Sequence, residues 1–254
     1  MSNTYQLIWF RQDLRIHDHA ALWHATQAGP CIAICILSPT QWQQHDDAAI
    51  KIDFYLRQLQ QLKQQLARLN IPLIIQNIAL WKNIPEYFKN LIEKINIQNV
   101  YANIELGVNE QQRDRQVQQL LNQHQKQLLL LHDRTLFPVG SIRNQSNLPY
   151  QVFGAFKKNC YQRLQISLPQ CYPPPSVQCT ISLDFSTFDD AKLSELQQHY
   201  AAKLNSENIE LWPTGETHAL RLLDQFIEER LNDYKRSRDL PAQTGTSQLS
   251  AYLN

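Results

Sequence analysis

Two polar stretches in the first half of the chain hold side chains that could bind a flat heteroaromatic ligand. In SPTQWQQHDD, Trp42 offers a stacking plane and His45 offers a hydrogen-bond donor or acceptor. In ELGVNEQQRD, Asn109 and Glu110 place an amide beside a carboxylate, and the pair could read the donor pattern of a pterin-like ring. A simpler interpretation stays open, in which Trp42 packs its own loop and Asn109 caps a helix with Glu110 near its positive end.

Two stretches near the carboxyl end hold groups that could bind phosphate. Three cations fall within four residues at Lys235, Arg236 and Arg238, and they either complement the dipole of a helix that ends there or contact the phosphates of DNA. Downstream, GTSQLS brings three hydroxyls and backbone N–H groups to the expected start of a helix, an arrangement that holds a phosphate or pyrophosphate. Thr246 or Ser247 would equally serve as an ordinary N-cap.

Other charge clusters favour structural roles. Four charges of balanced sign fall within eight residues: Arg11, Asp13, Arg15 and Asp18. We expect them to pair with one another and fix a strand-to-helix turn, with docking of a second domain as the alternative. The neighbouring Arg113 and Asp114 are expected to form a salt-linked helix face.

Five compact apolar runs predict buried strands at residues 5–10, 31–37, 72–76, 99–104 and 128–131. Apolar residues at steps of three and four predict helices at residues 19–27, 48–69, 84–95 and 110–124. This alternation predicts an α/β fold with a five-stranded, doubly wound parallel sheet of the Rossmann-like kind. Ligands bind beyond the carboxyl ends of such strands, so the polar loops after the first, second and fourth strands are expected at one edge.

The second half predicts a different organisation. Residues 134–212 hold few periodic runs and include CYPPPSVQC, whose consecutive prolines favour a stiff extended connector. We therefore divide the chain into an α/β domain at 1–133, an interdomain linker at 134–212 and the start of a helical domain at 213–254. The last part opens with a helix expected over residues 214–234, and the chain stops where the next helix is expected to begin.

The composition narrows the class of protein. The chain has 254 residues and 43% of them are apolar, which is enough to bury a core and excludes a disordered or fibrous protein. The net charge of +1 gives no field suited to nucleic acid, so such a partner must meet a local patch. No apolar run reaches the roughly 18 residues of a membrane span, and the first residues do not resemble a signal peptide, so we expect a cytoplasmic protein without membrane contact.

Cysteine and glycine usage excludes several kinds of site. Five scattered cysteines without a CxxC pair argue against a disulfide framework and a zinc site, so no metal is expected. Six glycines form neither a GxGxxG fingerprint nor a Walker loop, which disfavours a Rossmann dehydrogenase or a P-loop NTPase.

Several blocks, taken together and in order, resemble the DNA photolyase and cryptochrome family. These blocks are LIWFRQDLRIHDHAAL, QWQQH, YANIELGVNEQQRDRQV, LPYQVFGAFKKNCYQRL and DYKRSRDLPAQTGTSQLSAYL. The resemblance covers essentially the whole chain and is strongest to bacterial class I photolyases of the folate type, which repair cyclobutane pyrimidine dimers.

The resemblance implies an α/β domain that holds an antenna pigment, 5,10-methenyltetrahydrofolate, and a helical domain that holds FAD. It also implies that reduced FAD donates an electron to the dimer in UV-damaged DNA, and that the protein is a monomer. By motif, antenna contacts fall on His45, Asn109 and Glu110, and a DNA contact falls on Arg238. FAD contacts fall on Tyr234, Thr246, Ser247, Gln248, Leu249 and Ser250.

Two departures from the family pattern matter. Gln248 stands where the family usually has an arginine, which removes a charge near the flavin phosphates. The family continues beyond the position of Asn254 through most of the helical domain, so we expect these residues alone to lack repair activity and assign no catalytic residue. A cryptochrome-type light sensor and a stand-alone folate-binding module remain alternatives. We also expect low protection from hydrogen exchange beyond about residue 212.

Overall fold

A computed structural model describes residues 4–185, 188, 192–205 and 211–253. Its five strands are β1 (Tyr5–Phe10), β2 (Cys31–Leu37), β3 (Leu73–Asn77), β4 (Ile97–Asn103) and β5 (Gln127–Leu131). The five predicted strands are confirmed, with ends that differ by no more than two residues. Apolar runs of this length locate strands well because both faces of a parallel sheet are buried.

Helices connect successive strands. They are α1 (Ala20–Ala28), α2 (Pro39–Gln44), α3 (Ala49–Arg68), α4 (Ile84–Lys94) and α5 (Val108–Gln123), with a short 3₁₀ turn at Trp81–Asn83. The four predicted helices are confirmed, and the short α2 is an addition. It begins at Pro39, whose fixed φ suits the first position of a helix.

The strands form one parallel sheet in the order β3-β2-β1-β4-β5. This is the predicted doubly wound arrangement. The strand order reverses between β1 and β4, so the crevice that such sheets offer to ligands opens where these two strands end.

Each face of the sheet carries its own apolar core. Helices α1 and α3 cover one face, and α4 and α5 cover the other. The central strand β1 serves both: Ile8 and Phe10 pack on the first side, and Leu7 and Trp9 on the second. The body is therefore a three-layer sandwich of helices, sheet and helices, and the polar loops at one edge of the sheet extend from this packed body.

In the described residues of 134–212, the stretch that we expect to be a linker, the structure contains α6 (Phe153–Ile166) and α7 (Leu193–Ala201). Helix α7 packs against the α3 side of the body through Leu193 and Tyr200, whereas α6 has no buried residue. Between them the proline-rich segment is tied to the body, because Gln178 bonds the backbones of Cys31 and Asn70. The division into domains stays a prediction.

The carboxyl segment forms α8 (Glu216–Glu229), α9 (Tyr234–Ser237) and a 3₁₀ turn at Ser250–Tyr252. The predicted single helix over 214–234 is wrong in extent, since Arg230 leaves the helical conformation at φ −126° and ψ −19°. The expected N-cap at Thr246 or Ser247 is also wrong, because Leu249 precedes the turn that follows. No helix in the described part of the chain has both the length and the apolar character needed to cross a bilayer.

Candidate functional site

A buried ionic network occupies the crevice where the strand order reverses. Arg11 follows β1, Glu105 follows β4, and Arg113 and Asp114 lie on α5. Asp114 accepts two hydrogen bonds from Arg11, at 2.8 and 2.9 Å, and Glu105 accepts one from Arg113 at 2.7 Å. All four side chains are less than a tenth exposed. The Arg11 side chain therefore pairs outside its own loop, although its backbone N–H donates to Asp13 at 2.9 Å as a pairing within the loop requires. The Arg113–Asp114 link lies inside the protein rather than on an open helix face.

The rings of Trp9 and Trp81 pack beside the ionic network and occupy much of this crevice. The guanidinium carbon of Arg113 lies 4.8 Å from the centre of the Trp9 ring and 5.1 Å from that of Trp81. Burial by itself would lower the pKa of Arg113, but Glu105 and Asp114 raise it above its ordinary value, so the guanidinium stays charged. The space that remains is a cavity of about 50 Å³. Ligand sites usually measure about 300 Å³ or more, so a flat ring would bind on the outer rim.

His45 lies at the end of α2, next to this rim, where it packs against Trp81. Its ring centre is 5.6 Å from that of Trp81, with the two planes at 82°. Gln41 joins the pair, since its side chain bonds Nε2 of His45 at 2.9 Å and accepts the backbone N–H of Trp81 at 3.3 Å. His45 and Trp81 thus form a fixed edge-on aromatic pair between the loops that follow β2 and β3.

Asn109 and Glu110 lie in the first turn of α5. Glu110 lines the same small cavity as Trp42 and Trp81. The expected N-cap role of Asn109 is wrong: Gly107 is the N-cap residue, and a Cβ there would lie 2.0 Å from Oε2 of Glu110. The side chains of Asn109 and Glu110 form no hydrogen bond or ion pair with any residue that the structure describes. An amide and a carboxylate are therefore free to meet a ligand at the helix start.

A second buried network supports the loop after β1. Asn103, the last residue of β4, donates to Asp13 at 2.7 Å and to Asp133 at 2.8 Å. His19 accepts the N–H of Leu22 at Nδ1, so its Nε2 carries the proton and donates to Asp13. Burial raises the pKa of Asp13, but His19 and Arg11 outweigh it and hold that pKa well below its usual range.

The carboxyl segment is fixed to the body at the start of α8. Glu216 accepts hydrogen bonds from the backbone N–H groups of Ile16 and His17, at 3.2 and 3.0 Å, and from Gln65 at 3.1 Å. A cavity of about 440 Å³ opens beside this junction, but none of the predicted site residues lines it. Its walls come from both parts of the chain, including Phe54 and Tyr252.

The predicted phosphate-binding run, residues 246–250, is held at both ends. Before it, Gly245 is buried so closely against α9 that a Cβ would lie 2.6 Å from Oγ of Ser237. After it, the Tyr252 hydroxyl donates to the Pro213 carbonyl at 2.7 Å. Within it, Gln248 adopts a left-handed backbone at φ 57°. The hydroxyls of Thr246, Ser247 and Ser250 form no hydrogen bond with a described residue.

Tyr234 and Arg238 belong to the same neighbourhood, since they lie on and directly after α9. The Arg238 guanidinium lies 5.8 Å from the Tyr234 ring and 3.4 Å from the carboxylate of Asp239. Its side chain is half exposed. The predicted FAD and DNA contacts therefore gather around α9, apart from the antenna contacts at the sheet edge.

Two residues that shape the site, Trp81 and Asn103, are not among those predicted from the sequence. Trp81 lies in a short 3₁₀ turn, and its contacts are with residues distant in sequence, Arg113 and His45. The residues around Trp81 therefore form no pattern that would indicate its role. Asn103 could have been found as the polar last residue of an apolar strand. In the described residues, no cluster of His, Cys, Asp and Glu could hold a metal ion.

Comparison with known proteins places this fold and these blocks in one family. The family model for DNA photolyase matches residues 6–176. The deoxyribodipyrimidine photo-lyase of Buchnera aphidicola is 35% identical over 250 residues, which are 98% of this chain and 50% of the relative. The chain belongs to the DNA photolyase family and spans about half the length of the relatives it matches.

Solved structures share the fold. The class III photolyase of Agrobacterium tumefaciens superposes with a TM-score of 0.79 at 22% identity, over all of this chain and 50% of that one. An archaeal photolyase from Sulfolobus tokodaii, determined with two FAD molecules, gives a TM-score of 0.72 at 19% identity, over 97% of this chain and 51% of its own.

Proposed function

We propose that this protein takes part in light-driven repair of UV-damaged DNA, with an antenna pigment bound at the sheet edge and FAD bound by the carboxyl segment. The proposal includes splitting of cyclobutane pyrimidine dimers and action as a cytoplasmic monomer. The observation that carries it is the family match over residues 6–176, combined with unpaired polar groups at both predicted cofactor positions.

The rim suits 5,10-methenyltetrahydrofolate chemically. A pterin offers ring N–H and amino donors, and Glu110 supplies a carboxylate without an internal partner. Asn109 adds an amide that both donates and accepts. The His45–Trp81 pair gives an aromatic wall, while the filled crevice behind it keeps the ring at the surface.

The carboxyl segment suits the phosphates of FAD. Its run of hydroxyls is free to donate, and the close approach of Gly245 to Ser237 holds the backbone in place. Reduced FAD, when bound, would supply the electron for dimer splitting, and the pigment would supply absorbed light. The residues of this chain would bind and orient both groups, and Arg238, half exposed beside Asp239, would contact a phosphate of the damaged strand.

The test uses the native protein, isolated from its own cells with an antibody against these 254 residues. It is incubated with UV-irradiated DNA in blue light and, as the matched control, in darkness. Loss of pyrimidine dimers in light alone is the expected result. A flavin-loaded preparation that leaves dimers intact in both would reject repair, and a light-dependent partner without repair would select the sensor alternative.

A further inference from the structure

Arg230 is a cation beside the predicted phosphate-binding run that no family motif assigns. It directly follows α8, and its backbone N–H donates to the Phe226 carbonyl at 3.0 Å, which anchors it to the end of that helix. Its side chain reaches the run, where NH1 donates to the Thr246 carbonyl at 3.4 Å.

The guanidinium of Arg230 is incompletely satisfied. Its Nε is a buried atom without a hydrogen-bond partner, and the side chain forms no ion pair within the described ranges. Buried N–H groups are nearly always bonded, so the unpaired Nε leaves a side chain that already contacts Thr246 with capacity for a further acceptor.

Residues 246–250 carry no positive charge of their own, which also indicates that a cation outside the run is needed for phosphate binding. Gln248 is neutral and exposed, and the hydroxyls on either side of it bring no charge. Arg238 and Arg236 are directed to Asp239 and Asp233. Among the described residues, Arg230 is thus the cation that bonds to residues 246–250. A pyrophosphate at these hydroxyls would otherwise meet donors but no neutralising charge.

We propose that Arg230 binds the pyrophosphate of the flavin dinucleotide and supplies the charge that Gln248 does not. The inference rests on the proposed function, since it assumes that the run binds FAD. A guanidinium suits this task because its fork of N–H groups matches two phosphate oxygens and stays charged at any physiological pH. The hydroxyls then orient the phosphates while Arg230 neutralises them.

The test titrates the 254-residue protein with FAD and with riboflavin, which lacks phosphate, and follows flavin fluorescence. Arg230→Ala should weaken FAD binding about tenfold and leave riboflavin binding unchanged, since a charge-assisted hydrogen bond of this kind is lost. Adding Gln248→Arg to that variant should restore most of the affinity, because the charge returns at a neighbouring position. Arg221→Ala removes an exposed cation of α8 and is the matched control.

Each outcome decides one claim. Unchanged FAD affinity in Arg230→Ala, or equal weakening of FAD and riboflavin, would overturn the role of Arg230 and leave the FAD site standing. Failure of the parent protein to bind FAD would overturn the proposed FAD site, and the role of Arg230 with it. Circular dichroism confirms that each variant keeps its fold.

Discussion

The α/β body and the carboxyl segment both contain a long amphipathic helix, but only one of the two is packed. In α3, six of 20 residues are buried, whereas none of the 14 residues of α8 is buried. Leu220 and Ile227 of α8 are about half exposed. The same sequence pattern therefore yields a core helix in one region and an open apolar face in the other.

This difference separates the two proposed cofactor sites. The antenna site rests on loops that a three-layer body and a buried ionic network hold in place. The FAD run is held by a few contacts, chiefly those of Gly245, Arg230 and Tyr252. We therefore expect the pigment site to be preformed and the FAD run to gain order when its ligand binds.

The largest effect is expected in the ionic network of the body. Asp114→Asn removes the carboxylate that Arg11 and Arg113 share and leaves two buried guanidinium groups with Glu105 alone. We expect a loss of about 3–5 kcal/mol in the free energy of unfolding, measured in urea. The matched change in the carboxyl segment, Asp233→Asn, should cost less than about 0.5 kcal/mol. Similar losses in both variants would contradict the comparison.

The next effect compares apolar residues of the two helices. Leu62→Ala opens a cavity beneath α3 and should cost about 2–5 kcal/mol, because Leu62 is fully buried. Ile227→Ala on α8 should cost about 1 kcal/mol, because the residue is 49% exposed. Urea unfolding of both variants measures the difference, and a loss in Ile227→Ala as large as that in Leu62→Ala would show that the α8 face is covered.

Acid should act on the body through Asp13. Its pKa is held well below the value of about 3.9 that applies in an unfolded chain, so its contribution is complete above about pH 5 and is lost as the pH falls further. Asp13→Asn should be less stable at neutral pH and should lose less stability than the parent between about pH 5 and pH 2. Parallel stability curves for parent and variant would show that Asp13 contributes nothing to the acid dependence.

The smallest structural signal is local opening of α8. Its backbone amides should exchange with solvent much faster than those of β1, since few buried contacts protect them. Hydrogen exchange followed by mass spectrometry measures both segments in one sample. Equal, strong protection of the two would remove the distinction between packed body and open segment.

The sequence predicts the body better than the carboxyl segment for a physical reason. Strands such as β1 and β2 are buried on both faces, so their apolar runs mark their ends within a residue or two. The apolar stripe over 214–234 continues past Arg230, although the helix ends there. Residue spacing shows which side chains are apolar, but it does not show where the backbone leaves the helical conformation. Helix α6 escaped prediction since it buries no face and leaves no stripe.

The residues of the candidate site are also predicted only in part from the sequence. The motif marks Asn109 and Glu110, of which Glu110 lines the small cavity, but it does not reveal that Gly107 and not Asn109 caps α5. The Glu110 carboxylate lies over the position that a Cβ on Gly107 would take, a contact that residue spacing does not show. Trp81 and Asn103 act through partners far away in the chain, and only the folded structure brings those partners together.

The most direct test of the account is titration of the 254-residue protein with 5,10-methenyltetrahydrofolate, followed by quenching of tryptophan fluorescence. We predict saturable binding of one pigment per chain. Glu110→Gln should weaken it about tenfold, whereas Glu86→Gln, an exposed glutamate in the first turn of α4, should leave it unchanged. Absence of saturable binding, or equal affinity in both variants, would contradict a pigment site on this rim.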